Sequence, residues 1–189
     1  MQKDLFATVE RLPTHRLFFA LRPAAAECRA VEAVAASVRG TVPTAHWVRP
    51  SRHHLTLHYL GQSAGPRAEQ VAQAGEAAGR VQGRAFMLAL DRLAALGDRR
   101  RPALALAASV VPEPLRAFHA ALGRQLLAAG LRSETGGSLL PHLTLAYVDP
   151  DSPLVPVAPV LLRPAGFQLV YSVDGQREYT VLGEWPFAA

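Results

Sequence analysis

The tetrapeptide His54-Leu55-Thr56-Leu57 recurs, letter for letter, as His142-Leu143-Thr144-Leu145. Each copy lies in an apolar run that reads as a buried strand, where alternate side chains share a face. His54 and Thr56 therefore point one way while Leu55 and Leu57 enter the core, and the second copy obeys the same arithmetic. One His-x-Thr is what the polar face of an ordinary half-exposed strand supplies. Two matches in a chain of this size are expected by chance in roughly one protein in a few hundred at average residue usage. Side by side, two such strands bring two imidazoles and two hydroxyls into one cleft, a set suited to acid-base work on a phosphate. One imidazole takes a proton from the nucleophile, the other gives one to the leaving oxygen, and the hydroxyls donate to phosphate oxygens. That scheme needs no metal and no cofactor, and none is expected.

The two copies start 88 residues apart, room enough for a helix, a hairpin and another helix, which suggests two equivalent halves. Arg16 to Arg22, closed by Pro23, reads as a first strand, preceded by a loosely held leader over residues 1–14. Ala24 to Arg39 reads as a helix stopped by Gly40. Trp47 to Pro50 is a short extended piece leading into the first motif strand, which ends near Gly61. Pro66 opens a second helix, running to about Gly79. Ala85 to Leu93 and Ala103 to Ala108 read as strands of a hairpin with a basic tip at Arg99, Arg100 and Arg101. Pro112 and Pro114 introduce a third helix with Leu115, Phe118, Leu122 and Leu126 as its apolar stripe and Gly130 at its end. Gly136-Gly137 turns toward the second motif. The proline-broken segment from Asp149 to Pro164 reads as a connection, and Phe167 to Val173 with Tyr179 to Leu182 as a last hairpin around Asp174-Gly175. The order β-α-β-β-α-β-β-α-β-β-β is α+β: two pseudo-symmetric sheet lobes, helices on the outer faces, a central cleft, one domain over residues 15–189.

The chain has 189 residues, half of them hydrophobic, ample for a core. A net charge of +5 favours anionic partners such as RNA or nucleotides. Cys28 is the sole cysteine, so neither an intramolecular disulfide nor a Cys-rich zinc site can form, which fits a reducing, cytoplasmic setting. The N-terminus lacks the pattern of a secretion signal, and no apolar run reaches the length of a membrane span. No membrane association is expected, and a monomer is the default.

Strand parity puts His58 on the face of His54 and Thr56, making it a candidate substrate contact at the rim. Arg49 and Arg52 are candidates by charge. Phe18, with Phe19 and Trp47, could stack on a base, although core packing explains all three. His15, His46, His53 and His119 lack a partner motif and are expected at surface or boundary positions. No Walker-type or GxGxxG motif follows any strand.

These residues resemble the 2H phosphoesterase superfamily, defined by paired His-x-Thr/Ser motifs. Within it, they resemble the bacterial RNA 2′,3′-cyclic phosphodiesterase branch, formerly called 2′-5′ RNA ligase. Arg16 to Leu21 is similar to that family's opening strand, His54 to Gly61 to its first motif, Pro141 to Ala146 to its second, and Tyr179 to Pro186 to its closing strand. The resemblance implies opening of the 2′,3′-cyclic phosphate end of an RNA or oligonucleotide to a 2′-phosphate. It implies His54 as proton donor, His142 as proton acceptor and Thr56 and Thr144 as phosphate ligands, with 2′-5′ ligation as a reverse reaction. One departure stands out: members often carry Arg where this chain has Tyr147. Two other readings stand beside this one, a non-catalytic RNA-binding module and a cyclic phosphodiesterase of small nucleotide metabolites.

Overall fold

The computed structural model describes residues 13–134 and 139–188. Most of the leader and the Gly136-Gly137 turn lie outside the described residues. Strand β1 (His15–Leu21) is followed by α1 (Ala25–Val38), whose first turn is closed by the Ala24 amide donating to the Glu27 carboxylate. A single 3₁₀ turn containing Gly40 ends it. Then come β2 (His46–Trp47), β3 (Leu55–Ser63), α2 (Ala68–Gly79), β4 (Leu88–Leu90), β5 (Arg92–Leu96), β6 (Ala103–Ala107) and α3 (Glu113–Ala128). The remaining strands are β7 (His142–Tyr147), β8 (Val160–Leu162), β9 (Gly166–Val173) and β10 (Thr180–Pro186).

These strands form two four-stranded antiparallel sheets, ordered β10-β9-β1-β3 and β2-β7-β6-β5, and a small two-stranded sheet, β4-β8. The fold is α+β, as the sequence pattern implies, with β3 at the edge of the first sheet and β7 inside the second. One face of the first sheet packs Phe19, Leu21, Leu55 and Phe167 into the main core with Ala74, Ala77 and Ala78 of α2 and Leu115, Phe118 and Leu122 of α3. The other face carries a separate small cluster, Phe18, Ala20 and Val170 with Tyr59 and Tyr179 against it. Phe18 and Phe19 thus serve opposite faces of one strand, as alternation requires.

Two strand boundaries differ from the sequence reading. The expected strand from Ala85 to Leu93 is two strands, because the chain changes sheets at Asp91: β4 pairs with β8, whereas β5 forms the hairpin with β6. Its partner β8 lies within the Asp149 to Pro164 segment expected to be a connection. There Val160 and Leu162 are buried and Leu161 faces out, a strand too short for alternation to stand out among prolines.

The two motif strands share a subtler feature. In β3 the pairing with β1 runs Leu21↔Leu55, Ala20↔Thr56, then Phe19↔His58, leaving Leu57 as the extra residue of a β-bulge. In β7 the pairing with β6 runs Leu106↔Leu143, Ala105↔Thr144, then Leu104↔Ala146, leaving Leu145 as the extra residue. The repeat therefore extends from sequence to backbone, each copy bulging one residue after its threonine.

Candidate active site

The bulge overturns one parity expectation. With Leu57 extra, the alternation flips, so His58 turns to the helix side and is 4% exposed, while Tyr59 takes the Thr56 and Phe18 side. His58 is therefore not at the rim. His53, expected at a surface or boundary position, is instead buried at 1% exposure, with Nε2 3.6 Å from the Glu32 carboxylate. Among the other histidines, His119 is half-buried against His58.

The half-buried His54 and Thr56, and His142 and Thr144 on the second strand, keep the face that alternation gives them. Each histidine precedes its bulge, so the flip does not reach it. Nδ1 of His54 lies 2.8 Å from the Arg52 carbonyl, and Nδ1 of His142 lies 2.8 Å from the Leu140 carbonyl. A carbonyl can only accept, so Nδ1 carries the hydrogen in both rings, and Nε2 of each neutral imidazole is the lone-pair nitrogen. The same bond, to the residue two positions earlier, fixes the tautomer in both repeats.

His54 sits in an aromatic corner. Phe18 packs on its ring at 5.0 Å between centroids, and Tyr179 meets it edge-on at 5.3 Å and 89°. Tyr179 also closes edge-on over Phe18 at 5.5 Å. Phe18 is thus the wall behind the imidazole, 5% exposed. Desolvation by these neighbours, reinforced by His142, Arg22 and Arg52, pulls His54 down to about 4 against the opposing pull of its bond to the Arg52 carbonyl. The two motif histidines are close enough that charge on His142 opposes charge on His54.

Between the sheets lies a cleft of about 660 Å³, lined by His54 and Thr56 from the first repeat and Thr144 and Tyr147 from the second. Arg49, Arg52 and Arg177 supply positive charge at its walls, and Trp47 and Tyr179 supply aromatic surface. Arg52 is held over the Tyr179 ring, 4.3 Å from its centroid, and donates to the Gln176 carbonyl and the Ser172 hydroxyl. Trp47 is backed by the Arg39 guanidinium at 4.7 Å. The Arg99 to Arg101 tip precedes Ala103, which pairs with Tyr147, so register sets it beside the Tyr147 end of β7.

Sequence reasoning missed Tyr179 and Arg177 as lining residues. Both lie in the turn before β10, where no periodicity operates, and only closure of the β9-β10 hairpin brings Tyr179 over His54 and Arg177 to the cleft wall. Among the described residues no three His, Cys, Asp or Glu side chains gather as a metal site would require, and no helix is long and apolar enough to cross a membrane.

A family model described as the 2′-5′ RNA ligase superfamily matches residues 8–174. No curated protein sequence matches significantly. Among solved structures, E. coli LigT in apo form is similar at a TM-score of 0.71 and 24% identity, over 94% of this chain and 99% of that one. LigT has also been solved with 3′-AMP and with ATP. TT0787 of Thermus thermophilus is similar at 0.67 and 23%, over 91% and 97%. The MHV ns2 PDE domain is similar at 0.55 and 16%, over 85% and 100%. At these identities the structural likeness establishes the fold.

Proposed function

We propose, from the premise that this chain belongs to the 2′-5′ RNA ligase superfamily of phosphoesterases, that its cleft opens the 2′,3′-cyclic phosphate end of an RNA or oligonucleotide to a 2′-phosphate. The observation that carries this reading is the matched tautomer of His54 and His142. Two imidazoles whose Nε2 atoms are the free nitrogens, on two facing motif strands, are equipped for one proton abstraction and one donation.

In this reaction water attacks phosphorus while His142 Nε2 takes its proton. The bond from phosphorus to O3′ breaks, and His54 Nε2–H gives a proton to O3′, leaving a 3′-hydroxyl and a 2′-phosphate. Hydroxyls of Thr56 and Thr144 donate to the non-bridging oxygens, where charge builds in the transition state. His54 must be charged to act, and burial by its neighbours favours its neutral form. An anionic phosphodiester reverses that balance, since an adjacent negative charge raises the pKa of an imidazole. The donor is thus charged chiefly when substrate is present. Arg49 and Arg52 add attraction for the phosphate and the strand behind it. With a 5′-hydroxyl attacking in place of water, and O3′ again leaving, the same groups form a 2′-5′ linkage, with abundant water favouring hydrolysis.

The cleft volume also accommodates a mononucleotide, and the LigT complexes with 3′-AMP and ATP support an occupant of that size. A small cyclic nucleotide is therefore the second reading. Parallel assays on a cyclic-ended oligoribonucleotide and on a 2′,3′-cyclic mononucleotide, with the product phosphate position read by mass and NMR, decide between them. Oligonucleotide turnover to a 2′-phosphate at the higher kcat/KM supports the first reading. A 3′-phosphate product or no turnover of either substrate contradicts both.

A further inference from the structure

Behind Thr56, on the helix side of β3, His58 and His119 of α3 form a stacked pair, with ring centroids 4.1 Å apart and planes 16° from parallel. His58 Nε2–H donates to the His119 carbonyl at 3.0 Å, and His119 Nε2–H donates to the Leu57 carbonyl at 3.0 Å. Both rings therefore carry their proton on Nε2, and His58 Nδ1 is left buried with no partner. Burial lowers the pKa of both rings and so favours their neutral forms. A buried imidazole with an unpaired nitrogen is a costly core residue, and an aliphatic side chain would pack there more cheaply. The matching residue of the second repeat is Ala146, fully buried.

The difference follows from where the two bulges sit. In the second repeat the bulge residue Leu145 gives its carbonyl to the Val48 amide beside β2, because β7 is an interior strand. In the first repeat the bulge residue Leu57 is on the edge strand of its sheet, with no paired strand on its outer side among the described residues. His119 supplies the donor that an adjoining strand would have supplied. His58 returns the favour by bonding the His119 carbonyl, which on a helix keeps a second lone pair. Gly123, one turn on, leaves room for the ring: a Cβ there would stand 3.1 Å from His58 Cε1.

We propose that His119 and His58 are positioning residues for Thr56, acting as a side-chain substitute for the missing strand and fixing the bulge that aims the Thr56 hydroxyl into the cleft. This rests on the cyclic phosphodiesterase reading above. The test compares kcat and KM of the full chain on the cyclic-ended oligoribonucleotide for wild type, His119→Leu, His119→Gln, Gly123→Ala and, as a stability control elsewhere in α3, Leu126→Ala. His119→Leu lowers kcat by roughly five- to a hundredfold with KM little changed, as small misplacements of a reacting group do. His119→Gln, which keeps an N–H donor, regains most of the loss. Gly123→Ala favours the helix yet crowds His58, and it also lowers kcat. Leu126→Ala destabilises the fold without that effect. Wild-type kcat in His119→Leu, or in Gly123→Ala should His119→Leu fail to fold, overturns the proposal, as does an equal loss in Leu126→Ala. Wild-type turnover tests the reading of the cleft separately. The Thr56 and Thr144 amide resonances need no turnover: Gly123→Ala shifts Thr56 and spares Thr144, and an unmoved Thr56 overturns the proposal.

Discussion

His54 and His142 are held by the same bond, Nδ1–H to the backbone carbonyl two residues earlier, at 2.8 Å in each case. The carbonyls belong to Arg52 and Leu140, different residues in different local contexts. What the repeats share is the two-residue step from carbonyl to imidazole, so the backbone that delivers each histidine also selects its tautomer. Each Nε2 then carries the lone pair that acid-base work uses, and the tautomer is set by the backbone.

If the cleft works as proposed, phosphate should charge His54. Histidine nitrogen NMR on the free protein should show His54 neutral until the pH nears 4, and inorganic phosphate should move that titration upward. His119, outside the cleft, should not follow. A His54 titration near the ordinary imidazole value in the free protein, or one unmoved by phosphate, contradicts the desolvation argument.

Removing a hydroxyl should cost rate rather than binding. Thr56→Val and Thr144→Val keep the β-branched shape that the strand favours, and each should lower kcat by about 10²-fold, the usual cost of one preorganised donor to a developing oxyanion. Steady-state kinetics on the two variants provide the check, and a rise in KM with unchanged kcat would assign the threonines to ground-state binding instead.

Arg52 is fastened on three sides, by the Tyr179 ring, the Gln176 carbonyl and the Ser172 hydroxyl. Arg52→Lys keeps the charge and loses the planar fork, so it should not restore what Arg52→Ala loses. Both variants should raise KM about tenfold or more, the range of a lost charged hydrogen bond. A lysine variant with wild-type KM would show that charge alone suffices.

Acid should unfold this protein earlier than its carboxylates alone would. Burial lowers the pKa of His53, His54, His58 and His119, so the unfolded chain binds protons near 6.5 that the folded chain refuses. Stability is then fully present above about pH 6.5 and falls as pH drops toward 4. His58 alone, moved from 6.5 to about 4, contributes roughly 3 kcal/mol of that loss. Urea melts across this window should show the decline, with a shallower slope in His58→Leu. A flat profile would contradict the buried, neutral state of these rings.

Much of this was legible in the chain. The strand faces of both motifs, the stripe of Leu115, Phe118, Leu122 and Leu126 and the hairpin around Asp174-Gly175 follow from periodicity and turn chemistry, which act locally. His58 was not legible, because a bulge inserts one residue into the alternation and nothing at Leu57 announces it. The second bulge was equally silent, but it displaces no histidine. Strand β8 exists only because β4 pairs with it, and Tyr179 reaches His54 only through tertiary closure. Burial of His53 depends on the chain turning its ring inward toward Glu32 of α1, a contact across 21 positions.

The central claim is that two histidines and no metal open a cyclic phosphate, and it is tested most directly by hydrolysis of a 2′,3′-cyclic-ended oligoribonucleotide in excess EDTA. Wild type is compared with His54→Ala and His142→Ala. The account predicts turnover that survives EDTA, a 2′-phosphate product, and a loss of about 10² to 10⁴-fold in each variant. Turnover abolished by EDTA, or retained when either histidine is removed, would contradict it.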